Sequence, residues 1–320
     1  MSKKICVVGG GRWGKNHIST LHKLGALAGI VDTSKSLFSD FSKHYPGVKT
    51  YLNIDDALID DFDGFTVATP AESHYAIAEK IIQNKNHVLI EKPMTLCVND
   101  AEKLVQLAIK NKINLMVGHV LLFHPAIKKI KEIIDNKGIG DLQYIYSNRL
   151  NLGKVRSEEN VFWSLAPHDI AILQYLIGSN PISINAHGST FLQEGIYDST
   201  MTHLSYKNGV QSHIFVSWLH PFKEHRLVVI GSEAMLTFED SKTGNPLKLY
   251  SKKIDLSNGA PKKIDGPIEL ITYEKILPLT AELKHFINYC SDKKNTFADG
   301  EHGLEVIKIL VESSKKLFAE

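Results

Sequence analysis

Long apolar runs are missing from this 320-residue chain. No stretch approaches the about 20 consecutive apolar residues that cross a bilayer, which excludes a membrane-spanning helix. Cysteine is scarce: Cys6, Cys97 and Cys290 are far apart and form no C-x-x-C pair. A disulfide framework is therefore excluded, and a reducing, cytoplasmic setting is expected. Charge of one sign is lacking too, since 37 Lys and Arg against 35 Asp and Glu leave +2. There is no global field for nucleic acid or an anionic membrane, although a local basic pocket is compatible with that balance. The 15 histidines contain neither H-E-x-x-H nor a Cys/His set at zinc spacing, so no metal is expected. The run Ile5-Cys6-Val7-Val8 is shorter than a signal-peptide core and leads straight into glycines, so no exported leader is expected.

What is present is a chain that is 43% apolar and 22% charged, enough for a sizeable core and, at this length, two domains or one large one. Up to Gly118, short apolar runs alternate with helical patterns, the rhythm of strand–helix–strand units on a parallel sheet. Strands are predicted at Ile5–Val8, Leu27–Val31, Phe65–Thr69, Val88–Glu91 and Asn114–Gly118. Ile18, Leu21 and Leu24 repeat at helical spacing before Gly25, and further helices are predicted over about 73–85 and 99–112. Beyond Gly118, a helix over about 125–136 leads into long alternating segments at 142–152, 183–192, 199–206, 210–218 and 226–231, with Lys207-Asn208-Gly209 as a hairpin turn. Helical patterns over about 279–289 and 303–318 close the chain. The expectation is an α/β protein: a doubly wound, Rossmann-type parallel sheet over residues 1–121, and an α+β domain with a large, mostly antiparallel open sheet over 122–320. Its C-terminal helices are free to pack back on the first domain.

Gly9-Gly10-Gly11-Arg12-Trp13-Gly14 fits G-x-G-x-x-G, directly after a strand and opening a helix. Gly9 permits the tight turn, Gly11 lets backbone approach a pyrophosphate, and Gly14 allows close helix-on-strand packing. The helix N-terminus adds N–H donors and partial positive charge. Asp32 follows Gly14 by 18 residues, at the end of the second strand. It suits the adenosine ribose hydroxyls and would repel a 2′-phosphate, which favours NAD over NADP. Two alternatives stay open: Asp32 as a cap on the next helix, and Lys35 as a partner for such a phosphate.

Val67-Ala68-Thr69-Pro70, followed by Glu72, Ser73 and His74, closes one strand, and Glu91-Lys92-Pro93 closes the next. Both ends fall on the carboxyl edge of the sheet, where ligands bind in this architecture. With the glycine loop, these strings resemble the Gfo/Idh/MocA family of sugar and inositol oxidoreductases, and the similarity runs over essentially the whole chain. The resemblance implies a cofactor surface of Gly9, Gly11, Arg12, Trp13, Gly14 and Asp32, joined by Thr69, Pro70, His74, Glu91, Lys92 and His119. It also implies that Lys92 lies beside the nicotinamide and the reacting carbinol, where an ammonium stabilises developing alkoxide.

The family's other catalytic element is an Asp and a His four residues later, at the start of a helix. Here Trp163-Ser164-Leu165-Ala166-Pro167-His168-Asp169-Ile170 puts His168 at the His place and Ser164 at the Asp place. A hydroxyl cannot take a proton at neutral pH, so the base role goes to His168, with Ser164 positioning or capping. Pro167 suits a first helical position. Asp169 either orients substrate or Lys92, or is a first-turn carboxylate favouring the helix dipole. The stretch Asn148–Arg156, with Gly118-His119 and Phe123-His124-Pro125, is similar to the branch acting on nucleotide-linked amino sugars. That likeness implies oxidation at C3 of a substrate such as UDP-N-acetylglucosamine, bound by Lys92, Arg149, Asn151, Lys154, Arg156, Ser164, His168 and Asp169. Arg149, Lys154 and Arg156 suit a diphosphate, with solvated charges as the alternative. His119 either lines the site or is a core histidine. The resemblance further implies a homodimer or homotetramer and a coupled aminotransferase. The rival readings are a dehydrogenase or ketoreductase of a free sugar, inositol or deoxysugar nucleotide, an NAD-dependent glycosidase, and an NAD(H) sensor, which would need neither Lys92 nor His168.

Overall fold

The computed structural model describes residues 3–153, 155–241, 246–257, 259–291 and 293–317. The chain divides into two compact units, Met1–Phe123 with Ile276–Lys308, and His124–Lys275 with Ile309–Glu320.

In the first unit, β1 (Ile5–Val8), β2 (Leu27–Val31), β3 (Lys49–Tyr51), β4 (Gly64–Val67), β5 (His87–Glu91) and β6 (Leu115–Gly118) form one sheet in the order β3-β2-β1-β4-β5-β6. All pairings are parallel. β1, β4 and β6 are buried at every residue, as continuous apolar strands covered on both faces should be. The order reverses between β1 and β4, and that switch point opens on the carboxyl edge where the glycine loop lies. The helices are α1 (Gly14–Lys23), α2 (Phe38–His44), α3 (Ile54–Ala57), α4 (His74–Gln83) and α5 (Val98–Asn111). α1 turns Gly14, His17, Ile18 and Leu21 inward, the i, i+3, i+4, i+7 spacing of one helical face, and Gly25 follows at φ +68°.

The second unit begins with α6 (Pro125–Asp135), β7 (Leu142–Leu150) and α7 (Val161–Ile177). Strands β8 (Ser183–Ser189), β9 (Ser199–Ser205), β10 (Gln211–Ser217), β11 (Glu224–Gly231), β12 (Met235–Glu239) and β13 (Leu247–Tyr250) follow. After the small hairpin of β14 (Lys253–Asp255) and β15 (Lys262–Ile264), β16 (Ile268–Leu270) completes an eight-stranded sheet in the order β16-β13-β12-β11-β7-β10-β9-β8. Only the β7–β10 pairing among them is parallel. α7 packs against β7, β9 and β10. The β9–β10 turn has Gly209 at φ +84°, its N–H donating to Tyr206 O at 3.0 Å.

The closing helices are α8 (Pro278–Tyr289), which belongs to the first unit, and α9 (Gly300–Leu317), whose residues through Lys308 also do. Among the described residues, no helix is long and apolar enough to cross a membrane.

Candidate active site

The glycine loop of the first unit is shaped by contacts that tolerate no side chain. A Cβ on Gly14 would lie 1.8 Å from Gly9 O, and one on Gly9, itself at φ +96°, would lie 2.8 Å from Ala68 O. Around Gly11 the space is open to 4 Å. α1 then starts with no acidic residue in its first turn and no side-chain cap, with Arg12 and Trp13 exposed at its mouth. Such an end, with room above Gly11, fits the pyrophosphate of a dinucleotide. Asp32 follows β2 and is fixed by two main-chain donors, Gly10 N to Oδ2 and Ser34 N to Oδ1, each at 2.7 Å. A carboxylate has about four acceptor directions, so both oxygens retain capacity for ribose hydroxyls.

At the ends of β4 and β5, His74 is 1% exposed, with Nδ1 2.9 Å from Pro93 O and Nε2 2.9 Å from Thr69 O. It ties the two strand ends together, so its part in a cofactor surface is to set the shape around Thr69 and exposed Pro70. Glu91 is likewise scaffolding. Its Oε1 receives Nε2 of His17 at 2.8 Å and the indole N–H of Trp13, and the Lys92 amide approaches Oε2 at 3.3 Å. Gly118 makes room for this carboxylate, since a Cβ there would lie 3.0 Å from its carbon. Burial alone would push Glu91 up, but His17, the Trp13 N–H and the Lys92 charge hold it below the usual carboxylate range.

Lys92 is half-buried at the end of β5, its peptide bond to Pro93 cis. His119, just past β6, is 2% exposed, and neither ring nitrogen has a hydrogen-bond partner among the described residues. Its ring meets that of His302 edge-to-face at 5.5 Å. Burial, with His302 and Lys92 adding positive charge, pushes His119 well below the ordinary histidine range.

In the second unit, α7 begins at Val161, where the Asn160 side chain accepts from Trp163 N. This corrects the expectation that Pro167 opens the helix: Pro167 lies inside it, leaving the Trp163 carbonyl without an N–H from that position. Ser164 and His168, four apart, share one helical face and are both half-buried. Asp169 is buried, accepting from Ser147 Oγ at 2.6 Å and from Arg149 Nε at 2.8 Å and Nη2 at 3.0 Å. Arg149, read in the sequence as a phosphate ligand, is 8% exposed and committed to this pair, with Nη1 3.4 Å from His225 Nδ1. Burial first, then Arg149 and Lys223, bring His225 down to about 4. Asn151 follows β7 with its N–H on Ser217 O at 3.0 Å, and exposed Arg156 pairs with Glu159 at 3.2 Å. Lys154 lies outside the described residues.

These features can be set beside known proteins. Residues 3–119 match the Gfo/Idh/MocA oxidoreductase family, NAD-binding Rossmann fold, and residues 127–237 match the Gfo/Idh/MocA C-terminal domain. The chain belongs to the Gfo/Idh/MocA family. It is an oxidoreductase with an NAD-binding Rossmann domain and a second domain built on a large, mostly antiparallel sheet. It is 26% identical over 309 residues to the UDP-N-acetylglucosamine 3-dehydrogenase of Acidithiobacillus ferrooxidans, covering 94% of this chain and 93% of that protein. It is 22% identical to the inositol 2-dehydrogenase of Rhizobium meliloti, covering 76% of this chain and 77% of that one. The solved structure of the Acidithiobacillus enzyme shares the fold at a TM-score of 0.86, with 23% identity over 99% of this chain and 98% of that chain.

Residues that pair with those singled out in the sequence, His17 and His302 in the first unit and Ser147 and His225 in the second, belong to no motif. The signal for His17 was its place on the buried face of α1, between Gly14 and Ile18, where a polar side chain needs a partner.

Proposed function

We propose that this chain is an NAD-dependent dehydrogenase that oxidises a ring hydroxyl, at C3, of a nucleotide-linked amino sugar such as UDP-N-acetylglucosamine to the keto sugar. The observation that carries this reading is the likeness to a UDP-N-acetylglucosamine 3-dehydrogenase along 94% of the chain.

The glycine loop, the α1 N-terminus and Asp32 hold the dinucleotide, and the Asp32 carboxylate favours NAD over NADP. Bound NAD supplies a hydride acceptor. His168 takes the proton of the sugar hydroxyl, because Ser164, where the family has an acid, cannot. Lys92 offers its ammonium to the developing oxyanion, and Glu91, held ionised behind it, sustains that positive charge. Ser147 and Arg149 fix Asp169 and with it the turn of α7 that carries His168. Of the cations expected to meet a diphosphate, exposed Arg156 keeps donors to give, while Arg149 is occupied. The keto sugar is the natural substrate of an aminotransferase, and the enzyme works in the cytoplasm as a homodimer or homotetramer.

The test is purified protein with NAD and a panel of UDP-sugars, free sugars and inositols, followed by NADH absorbance, with the reverse reaction included. Reduction of NAD by UDP-N-acetylglucosamine above the other substrates supports the reading. Ready turnover of inositols or free sugars, with none of any UDP-sugar in either direction, overturns it.

A further inference from the structure

Trp13 is an unusual residue for its place. G-x-G-x-x-G fixes only its glycines and leaves the position before Gly14 unspecified. Here that position holds a tryptophan, 41% exposed at the mouth of the loop. Its main chain belongs to the loop: Trp13 is the N-cap residue of α1, and its carbonyl accepts from Asn16 N at 2.9 Å. Its side chain belongs elsewhere, since the indole N–H donates to Oε1 of Glu91, 78 positions away at the end of β5.

Burial of Glu91 does not require that bond. The residue is 7% exposed and needs partners, but Nε2 of His17 already lies 2.8 Å from Oε1 and the Lys92 amide approaches Oε2 at 3.3 Å. The Trp13 N–H is therefore a second donor on an oxygen that has one. Glu91 also has little room to yield. Gly118, its register partner on β6, backs the carboxyl so closely that a Cβ there would lie 3.0 Å from its carbon. The His17 ring is fully shielded and meets the Trp13 ring edge-to-face at 6.3 Å. One tightly held carboxylate thus touches the glycine loop with one oxygen and the main chain of Lys92 with the other.

We propose that Trp13 is a positioning residue for Lys92: its indole N–H couples an occupied glycine loop, through Glu91, to the main chain of the lysine. Filling the loop with a dinucleotide shifts the indole, the indole shifts the carboxylate, and the carboxylate resets the Lys92 N–H. Coupling between two sites is reciprocal, so a change at Lys92 is felt at the loop. Trp13→Phe keeps an aromatic ring and removes the N–H, which breaks the link without touching the glycines or Asp32. The part that Lys92 itself plays rests on the dehydrogenase reading above.

ADP-ribose separates the link from direct contact, because it carries the pyrophosphate and lacks the nicotinamide ring. With lysine-labelled full-length protein, the amide signal lost in Lys92→Met is that of Lys92. In the parent protein ADP-ribose should move this signal. In Trp13→Phe it should still bind, yet leave the signal in place, and Glu91→Gln, a second way to break the link, should silence the response too. A Lys92 amide that ADP-ribose leaves unmoved in the parent, or moves equally in Trp13→Phe, overturns the proposal.

Kinetics give a second readout. Trp13→Phe should lower kcat about tenfold, with NAD affinity held within about threefold. In the Glu91→Gln background the same substitution should cost almost nothing further, since its effect runs through that carboxylate. An equal fall in both backgrounds makes Trp13 a direct contact of the cofactor and overturns the proposal. If no substrate is turned over at all, the dehydrogenase reading fails, while the amide shifts still decide the fate of Trp13.

Discussion

Arg149 and Asp169 close on each other inside the second unit, Nε to Oδ2 at 2.8 Å and Nη2 to Oδ1 at 3.0 Å, with the carboxylate 1% exposed. The fork-to-fork geometry joins β7 to the helix that carries His168, one residue from Asp169. Removing one partner leaves an uncompensated charge in the interior. Arg149→Ala or Asp169→Ala should therefore cost about 3–5 kcal/mol of stability in urea unfolding, while Arg149→Met combined with Asp169→Leu should cost markedly less. A loss in the double variant equal to the sum of the two single losses would show that the pair is not coupled.

The glycine loop separates folding from binding. Gly14→Ala brings a methyl within 1.8 Å of the Gly9 carbonyl, so the loop must shift and the melting temperature must fall. Gly11→Ala meets nothing within 4 Å, so the melting temperature should stay put. NAD affinity should nonetheless drop, because the methyl stands where backbone would approach the pyrophosphate. Thermal melts with and without NAD distinguish the two.

The first sheet and this loop are legible in the sequence because buried parallel strands are unbroken apolar runs, as in Ile5–Val8, and because G-x-G-x-x-G demands glycine for steric reasons. Short strands with few inward apolar residues, such as Lys49–Tyr51 and the exposed Ile268–Leu270, leave no periodic trace. Pro167 misleads for a physical reason: proline is at home in a first helical turn, but Asn160 caps the helix seven residues earlier and packing of the long apolar face carries it through. The roles of Arg149, His74 and Glu91 follow from pairing partners far apart in the chain, which no local pattern encodes.

His225 gives the second unit an acid sensitivity of known sign. Its folded pKa is depressed to about 4, chiefly by burial and then by Arg149 and Lys223, against an ordinary value of about 6.5. The unfolded chain thus binds the extra proton first as pH falls. The stability tied to neutral His225 is complete above about pH 6.5 and is lost progressively down to about pH 4. His225→Asn should flatten that part of a stability-versus-pH curve measured by urea unfolding; an unchanged slope would exclude His225 as its source.

Lys92 and His168 should fail differently when removed. Lys92→Met takes away the ammonium at the end of β5 without touching the glycine loop or Asp32, so NAD binding should persist while kcat falls by about 10²–10⁴. His168→Asn keeps a polar side chain on the half-buried face of α7 but removes the imidazole proposed as the base. Its rate should then rise with pH, as the sugar hydroxyl loses its proton to solvent hydroxide, in place of the plateau that a titrating imidazole gives the parent enzyme. Steady-state kinetics across pH with a responsive substrate, beside fluorescence titrations of NAD, separates the two roles. A Lys92→Met enzyme with undiminished kcat would remove the lysine from the reaction, and a His168→Asn enzyme with the parent profile would assign the base elsewhere.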